Sequence, residues 1–342
     1  MKPMAEAAAQ RNVPTPQEQI LGIVNNYWQS SCVGAAAQLE LADLLANGPL
    51  HVDVLAERTK TYAPSLYRML RALESTGIFT QSSPRVFANT PASECLRRYA
   101  PGSQWAWIRI TLCADAPVFD GWRGLTHALQ NGKPGFDQLR GMSAWNYLKA
   151  DPQMGTIFNE AMRDLSASMT PAVTASYNWS QFPVIADIGG GIGAQLSNIL
   201  DAYPSCRGIL FDQPQVVEGA PQHSRMERVG GDFFAEIAIQ ATAYLLRWII
   251  HDWDDDKAIT ILENVRKAAR PGARVLLVES VIPETAEVDM SKWMDMNMLV
   301  MAGGRERTAA EFRELYNQAG FELEQIIPTP SPLSIVIGKS RT

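Results

Sequence analysis

The chain has 342 residues, 46% of them hydrophobic, which is long enough for two domains and too apolar for disorder or a collagen-like fibre. Lys and Arg number 30 against 36 Asp and Glu, and the net charge of −6 is a poor start for general nucleic-acid binding. Charged residues make up only 19%, below the roughly 25% of ordinary soluble chains, which points to surface hidden in an oligomer.

The opening stretch MKPMAEAAAQRN carries Glu6 inside its only small-apolar run, so no signal peptide is expected. Residues 17–45 space Ile20, Val24, Tyr27 and Trp28, then Leu39, Leu41, Leu44 and Leu45, as a helical stretch that Gly48-Pro49 ends. A short helix is expected over 52–58 and another over 64–76, with Pro64 early in it and Gly77 just past its end. Residues 78–80 and 85–88 flank a Ser-Ser-Pro turn as a β-hairpin. Helices followed by a hairpin outline a winged helix, and a DNA-binding regulator is therefore one reading. Arg68 and Arg71 lie on 64–76, but Glu74 shares that helix, and 39–98 holds seven basic and six acidic residues. A phosphate-reading module needs a basic face, so the segment reads better as a packing platform. Residues 104–178 are helical in tone, with Trp105, Trp107, Trp122, Trp145, Phe158 and Met162 forming either core or the wall of a ligand cavity.

From Pro183 the texture changes. Strands are expected at 184–188, 208–211, 243–246, 274–278 and 334–338, with helices after 193, over 256–269 and over 309–319. This alternation predicts an α/β fold with a Rossmann-like, doubly wound, mainly parallel sheet behind a mostly helical, winged-helix-like N-terminal domain. The boundary is expected near 177–183, giving domains 1–178 and 179–342. Cys32, Cys95, Cys113 and Cys206 lie far apart with no C-x-x-C spacing, as in the reduced thiols of a cytoplasmic protein. No apolar run approaches the about 18 residues of a membrane-spanning helix.

Between the first strand and the next helix stands Asp187-Ile188-Gly189-Gly190-Gly191-Ile192-Gly193. Glycines there permit a tight turn and close approach of a ligand to the backbone. Gly189, Gly191 and Ala194 satisfy a dinucleotide fingerprint, so a nicotinamide dehydrogenase is a rival; the same residues also satisfy D-x-G-x-G-x-G, a loop that cradles S-adenosylmethionine. Asp187 would repel a pyrophosphate but suits a cationic end. Asp212 closes the next strand, where it can take two ribose hydroxyls. Asp232 and Phe233 pair an acceptor for an adenine amino group with a ring to cover it. Three carboxylates around one glycine turn favour S-adenosylmethionine.

Further along, 245–255 reads LLRWIIHDWDD, 229–234 reads VGGDFF, 278–283 reads VESVIP and 303–308 reads GGRERT. Taken in chain order, the blocks resemble the class I S-adenosylmethionine-dependent small-molecule O-methyltransferases: the caffeate, isoflavone and acetylserotonin O-methyltransferases and bacterial natural-product enzymes. The N-terminal outline is similar to that family's dimerisation domain, which implies a homodimer with no nucleic-acid or membrane partner.

Methylating a phenol, with a pKa near 10, requires a base that takes its proton as attack begins, and a histidine near 6.5 suits that role. The resemblance implies that His251 is the general base and that Glu279 and Glu306 are its acidic neighbours. His51, His127 and His223 have no such context. The run Asp252, Asp254, Asp255, Asp256 reads as the start of the following helix, and the scheme uses no metal. Matched residue by residue, Gly189, Asp212, Asp232, Phe233 and Arg247 hold S-adenosylmethionine beside Asp187 and Gly191. Arg247 stands where plant members often have lysine, and Trp253 packs either on the adenine or in the core. Phe158, Met162, Trp293, Met294, Asn297, Met298 and Met301 occupy segments that line the acceptor cavity in relatives. Met301-Ala302 replaces the Asn-Pro of plant members, so a phenylpropanoid and a polycyclic or modified aromatic acceptor are equally open. The expected activity is O-methylation of an aromatic small molecule, with N- or C-methylation or a non-methylating homologue as alternatives.

Overall fold

A computed structural model describes residues 14–341; the stretch Met1–Asn12, on which the signal-peptide expectation rests, lies outside the described residues. The chain divides into two compact units at Ala116/Pro117.

In the first unit, Thr15 and Glu18 form a reciprocal capping box, Pro16 takes the first helical position, and the helix Pro16–Gln38 follows. Its buried face is made of Gly34, Ala36 and Ala37. Gly34 is required there, because a Cβ would collide with the Leu112 carbonyl of helix Trp105–Leu112. The expected single stretch 17–45 is instead broken at Glu40, whose φ of 51° starts the separate helix Leu41–Leu44. Strand β1 (Leu50–His51), helix Val52–Thr59, helix Ala63–Glu74 and the hairpin of β2 (Phe79–Ser83) and β3 (Val86–Asn89) come next. The hairpin strands pair antiparallel and β1 adds to β3. Leu66, Leu70 and Leu73 bury one stripe of the helix. Arg71 and Arg85 lie over the Tyr67 ring, and Glu74 accepts from Gln81, so the polar groups are paired locally.

The second unit begins with helices Pro117–Arg123, Leu125–Asn131, Gly135–Arg140, Ala144–Ala150 and the long Pro152–Ala175. The alternating region then supplies β4 (Val184–Ile188), β5 (Arg207–Asp212), β6 (Met226–Gly230), β7 (Ala243–Arg247), β8 (Arg274–Glu279), β9 (Val281–Ile282), β10 (Arg307–Thr308), β11 (Phe321–Pro328) and β12 (Ser334–Ser340). Seven of these form one sheet in the order β11-β12-β8-β7-β4-β5-β6. The five strands from β8 to β6 are parallel, and β12 and β11 continue antiparallel. Alternate residues of β4, β7 and β8 enter two different cores. Ala186, Ile188, Tyr244, Leu246, Val275 and Leu277 pack on one face; Ile185, Ala243, Leu245, Leu276 and Val278 pack on the other. A parallel sheet covered on both faces explains why these strands read as unbroken apolar runs. The edge strands β6 and β11 carry charges on open positions, which hid them from the apolar-run reading. Because strand order reverses around β4, the carboxyl ends of β4, β5, β7 and β8 surround one crevice, where open α/β sheets bind ligands. Among the described residues, no helix is long and apolar enough to cross a membrane.

One internal clamp beneath the sheet gives a direct test. The Tyr244 hydroxyl donates toward the Ile239 and Ala268 carbonyls at 2.9 and 3.0 Å and accepts the Ala241 N–H at 3.1 Å. Tyr244→Phe leaves buried backbone groups unsatisfied and should destabilise the fold by about 1–3 kcal/mol, read as a lower urea midpoint with unchanged slope.

Candidate active site

β7 ends at Arg247; Trp248 follows with a φ of 53°, and the chain then makes a single 3-10 turn, Ile250–Asp252. Glu279, the last residue of β8, holds that turn. Its Oε1 accepts the N–H groups of Ile249 and Ile250 at 3.1 and 3.0 Å, and the residue is fully buried. His251 is thereby presented at the carboxyl edge of the sheet, its side chain 12% exposed. The loop before β10 closes from the other side. Gly303 has a φ of 73°, a Cβ on Gly304 would collide with the His251 carbonyl, and the Arg305 N–H donates to that carbonyl at 2.8 Å. The loop carries Glu306, whose Oε1 lies 2.8 Å from His251 Nδ1. Glu279 Oε2 is 3.9 Å from the same nitrogen, and Asp252 Oδ1 is 3.5 Å from Nε2. The structure thus brings together the three expected catalytic residues, His251, Glu279 and Glu306.

With the imidazole held protonated at neutral pH, both ring nitrogens carry hydrogens: Nδ1 donates to Glu306, and Nε2 faces Asp252 at 3.5 Å. Burial by itself lowers the His251 pKa, but Glu279, Asp252 and Glu306 outweigh it and raise it to about 10. Burial raises Glu279 to about 7 and Asp252 to about 6; His251 opposes both shifts, and the neighbouring carboxylates add to them. His251, Glu279 and Asp252 lie close enough that each shifts the others, and they titrate together. His251 Nδ1 and oxygens of Glu279 and Glu306 all lie within 4.8 Å of one another, near enough to embrace a cation. The 2.8 Å Nδ1–Oε1 distance is that of a charge-assisted hydrogen bond.

Two supporting residues escaped the sequence reading. Asp295, on helix Met290–Met301, accepts the Glu306 backbone N–H at 3.0 Å through its Oδ1. Its signal was its position as the single charged residue in WMDMNMLVM. Arg307, 1% exposed, donates to the Ile250 and Trp253 carbonyls and to Asp255, tying the loop to the turn. The acidic run does start a helix: Asp254 caps Asp255–Ala268 by accepting from the Lys257 N–H.

On the glycine side, Gly189, Gly191 and Gly193 have φ values of 70°, 60° and 78°. A Cβ at Gly190 would strike the Asp187 carboxylate, and one at Gly189 would strike Ile249. Asp212 holds the loop, accepting the Gly191 N–H at 2.8 Å and the Gln213 N–H at 2.7 Å. Asp232 is exposed and accepts the Phe234 N–H at 2.9 Å. Phe233 lies beside Gly189 and, with Phe234 and Trp253, forms an edge-on aromatic cluster. Trp253 is engaged in that cluster and under Lys257. Arg247 is committed elsewhere: its guanidinium donates to Thr170 Oγ1 at 2.6 Å, Gln195 Oε1 at 3.0 Å and the Ser166 carbonyl at 3.3 Å. It pins helix Pro152–Ala175 to the sheet. Burial lowers its pKa to about 10 against the pull of Asp187 and Glu279, which still leaves it charged at neutral pH. Asp187 is 1% exposed, and neither carboxylate oxygen has a hydrogen-bond partner among the described residues. Burial raises its pKa to about 7, Arg247 opposes the rise and Asp212 adds to it; the nearby Leu196 N–H tempers the shift without reaching hydrogen-bond geometry.

The expected acceptor residues lie on two helices. Phe158 and Met162 sit one turn apart on Pro152–Ala175, with Phe158 edge-on to Trp145 at 6.0 Å. Met294, Asn297 and Met301 share a face of Met290–Met301. That face meets helix Pro117–Arg123 at Gly121 and Trp122. Met298 is half-buried on the same helix, and Trp293 in its first turn is 59% exposed.

Residues 122–322 match the O-methyltransferase domain, and residues 21–98 match the O-methyltransferase dimerisation domain. The chain belongs to the O-methyltransferase family. This methyltransferase is 38% identical to the phenazine O-methyltransferase PhzM of Lysobacter antibioticus over 93% of its own length and 94% of that protein's. The crystal structure of LaPhzM superposes with a TM-score of 0.90 at 38% identity, covering 96% of this chain and 100% of that one. The O-methyltransferase NcsB1 of neocarzinostatin biosynthesis, solved with S-adenosylmethionine and 2-hydroxy-5-methyl naphthoic acid, gives a TM-score of 0.80 at 30% identity over 92% of this chain and 96% of that one.

The orphaned Asp187 carboxylate of the methyltransferase has a measurable consequence. Its folded pKa of about 7 lies above its ordinary 3.8, so folding favours the protonated form. The resulting loss of stability is absent below pH 3.8, grows through the interval and is complete above pH 7. Asp187→Asn should therefore gain about 2–4 kcal/mol over the parent at pH 8 and less at pH 5, read from melting temperatures at the two pH values without added ligand.

Proposed function

We propose that this chain transfers a methyl group from S-adenosylmethionine to a hydroxyl of an aromatic small molecule, with His251 Nε2 as the proton acceptor. The observation that carries this reading is the 2.8 Å contact between His251 Nδ1 and Glu306, which leaves the opposite nitrogen for the substrate. Glu279 fixes the turn, and Glu306 anchors the Nδ1 side of the ring. The residues present fit the donor. The bare glycine turn admits a ligand, Asp187 offers two unpartnered oxygens, Asp212 and Asp232 retain acceptor capacity for hydroxyl and amino groups, and Phe233 borders the cleft. Once bound, S-adenosylmethionine supplies an electrophilic methyl on a sulfonium.

A histidine held near 10 carries its proton at neutral pH when the site is empty. A phenol has a similar pKa of about 10, so the two share a proton on nearly equal terms. Whether neutral phenol meets imidazole or phenolate meets imidazolium, the same hydrogen-bonded pair results. Alignment supplies the rest, up to about 7–11 kcal/mol in well-oriented reactions.

His251→Ala should retain cofactor affinity in calorimetry while losing about 100-fold or more in kcat. In the parent, kcat/KM should keep rising with pH above 7.5, because the active fraction grows as His251, held near 10, gives up its proton. A plateau from pH 6.5 upward would contradict the charged cluster. Labelled S-adenosylmethionine with a panel of phenols and hydroxylated polycycles, followed by mass spectrometry, locates the methyl and separates O- from N- or C-transfer. The rate should be unaffected by EDTA.

In function the chain divides at 178/179: the helical part before it supplies the dimer contact and part of the acceptor wall, and the sheet behind it holds donor and base. The dimer reading rests on helix Pro16–Gln38, where Ile20, Leu21, Ile23, Val24, Tyr27 and Trp28 are each more than half exposed. An apolar face this continuous is matched by a second copy of the chain, in keeping with the low content of charged residues. Sedimentation should report a dimer for the parent and monomer for an Ile23→Asp, Tyr27→Asp double variant; an unchanged dimer would move the interface elsewhere.

A further inference from the structure

Asn297 is a lone amide on a face of methionines, three residues past Met294 and four before Met301 on helix Met290–Met301. Helix Pro117–Arg123 comes unusually close to that face, because a Cβ on Gly121 would collide with Met301 Sδ and the Val300 carbonyl. The approach places Trp122 Nε1 3.1 Å from Asn297 Oδ1. An indole N–H donates and never accepts. It therefore dictates how the carboxamide is turned: the oxygen goes to Trp122 and the nitrogen is directed away from it. Nδ2 then meets Met294 Sδ at 3.9 Å, a weak acceptor, and no oxygen or nitrogen among the described residues accepts from it. Asn297 is only half-buried, and the amide hydrogen not directed at Met294 remains available.

We propose that Asn297, oriented by Trp122, is a specificity-determining donor for the acceptor: besides the hydroxyl to be methylated, the aromatic ring system carries a hydrogen-bond-accepting oxygen, of a carbonyl or a carboxylate, that Nδ2 receives. This rests on the methyltransferase reading above and narrows its substrate class. A site that offers a fixed donor discriminates against an otherwise identical ring without an acceptor, because the donor is then desolvated and unpaired. The amide is neutral, so a ketone and a carboxylate can both satisfy it.

Three ligands on one ring skeleton test this: 2-naphthol, its 6-acetyl ketone and 6-hydroxy-2-naphthoate. Affinities are measured by calorimetry on the protein alone, so no turnover is needed. The ketone, the carboxylate or both should bind at least about tenfold more tightly than 2-naphthol, and the stronger of the two identifies the oxygen. Asn297→Asp keeps an oxygen for Trp122 but removes both donors, and should abolish the preference without lowering the melting temperature. Trp122→Phe frees the amide to turn and should narrow the preference. Equal affinity for all three ligands in the parent, binding of none of them, or a preference that survives Asn297→Asp would overturn the proposal; survival in Asn297→Asp would reduce the Trp122–Asn297 bond to packing. Labelled-methyl transfer to the phenol panel is scored separately. Transfer without the binding preference sinks this inference alone, whereas the preference without transfer sinks the methyltransfer reading.

Discussion

One buried carboxylate carries the geometry of the reactive centre. Glu279 stands at the end of a central parallel strand with no access to water, and one of its oxygens takes the two N–H groups that a sharp turn leaves open. Without it, the chain leaving β7 would have two amides needing water at a place where the core supplies none. With it, the turn from Trp248 to Asp252 has one satisfied conformation, and the imidazole is held where the sheet opens. The second oxygen remains within 3.9 Å of the imidazole, so the group that fixes the backbone also sets the local field. Structural and electrostatic roles are thus fused in a single side chain.

The same economy runs through the loop that carries Glu306. Gly304 lies against the His251 carbonyl because no side chain fits there, and the Arg305 N–H closes the gap with a hydrogen bond. Arg307 binds the turn's outgoing carbonyls, and Asp295 receives the loop's own amide. The imidazole and its carboxylate partner are therefore held by backbone contacts on both sides. This matters because the cluster contains three acids around one base: a loose arrangement would let water screen the charges that raise the histidine.

Much of this was legible in the residues. Unbroken apolar runs at β4, β5, β7 and β8 marked the parallel sheet, and the acid-flanked glycine turn marked the crevice. The blocks around His251, Glu279 and Glu306 supplied the trio that the fold brings together. What stayed hidden has physical reasons. Strands β6 and β11 lie at the sheet edges and carry charge, so they lack a buried strand's pattern. Glu40 breaks an otherwise continuous helical stretch by adopting a left-handed conformation that its residue type does not announce. Asp295 acts through a backbone amide eleven positions away, a relation no local spacing reveals. Arg247 was legible as a cation near the donor, but not as the pin that ties helix Pro152–Ala175 to the sheet, because Thr170 and Ser166 are remote in sequence.

Helix Met290–Met301 has two working sides. Asp295 and Asn297 are two residues apart, about 200° around the axis, so one meets the loop that carries Glu306 and the other the methionine face. On the proposed reading, a substitution along the second side changes the acceptor wall, whereas the first side, through Asp295, keeps the Glu306 loop in place.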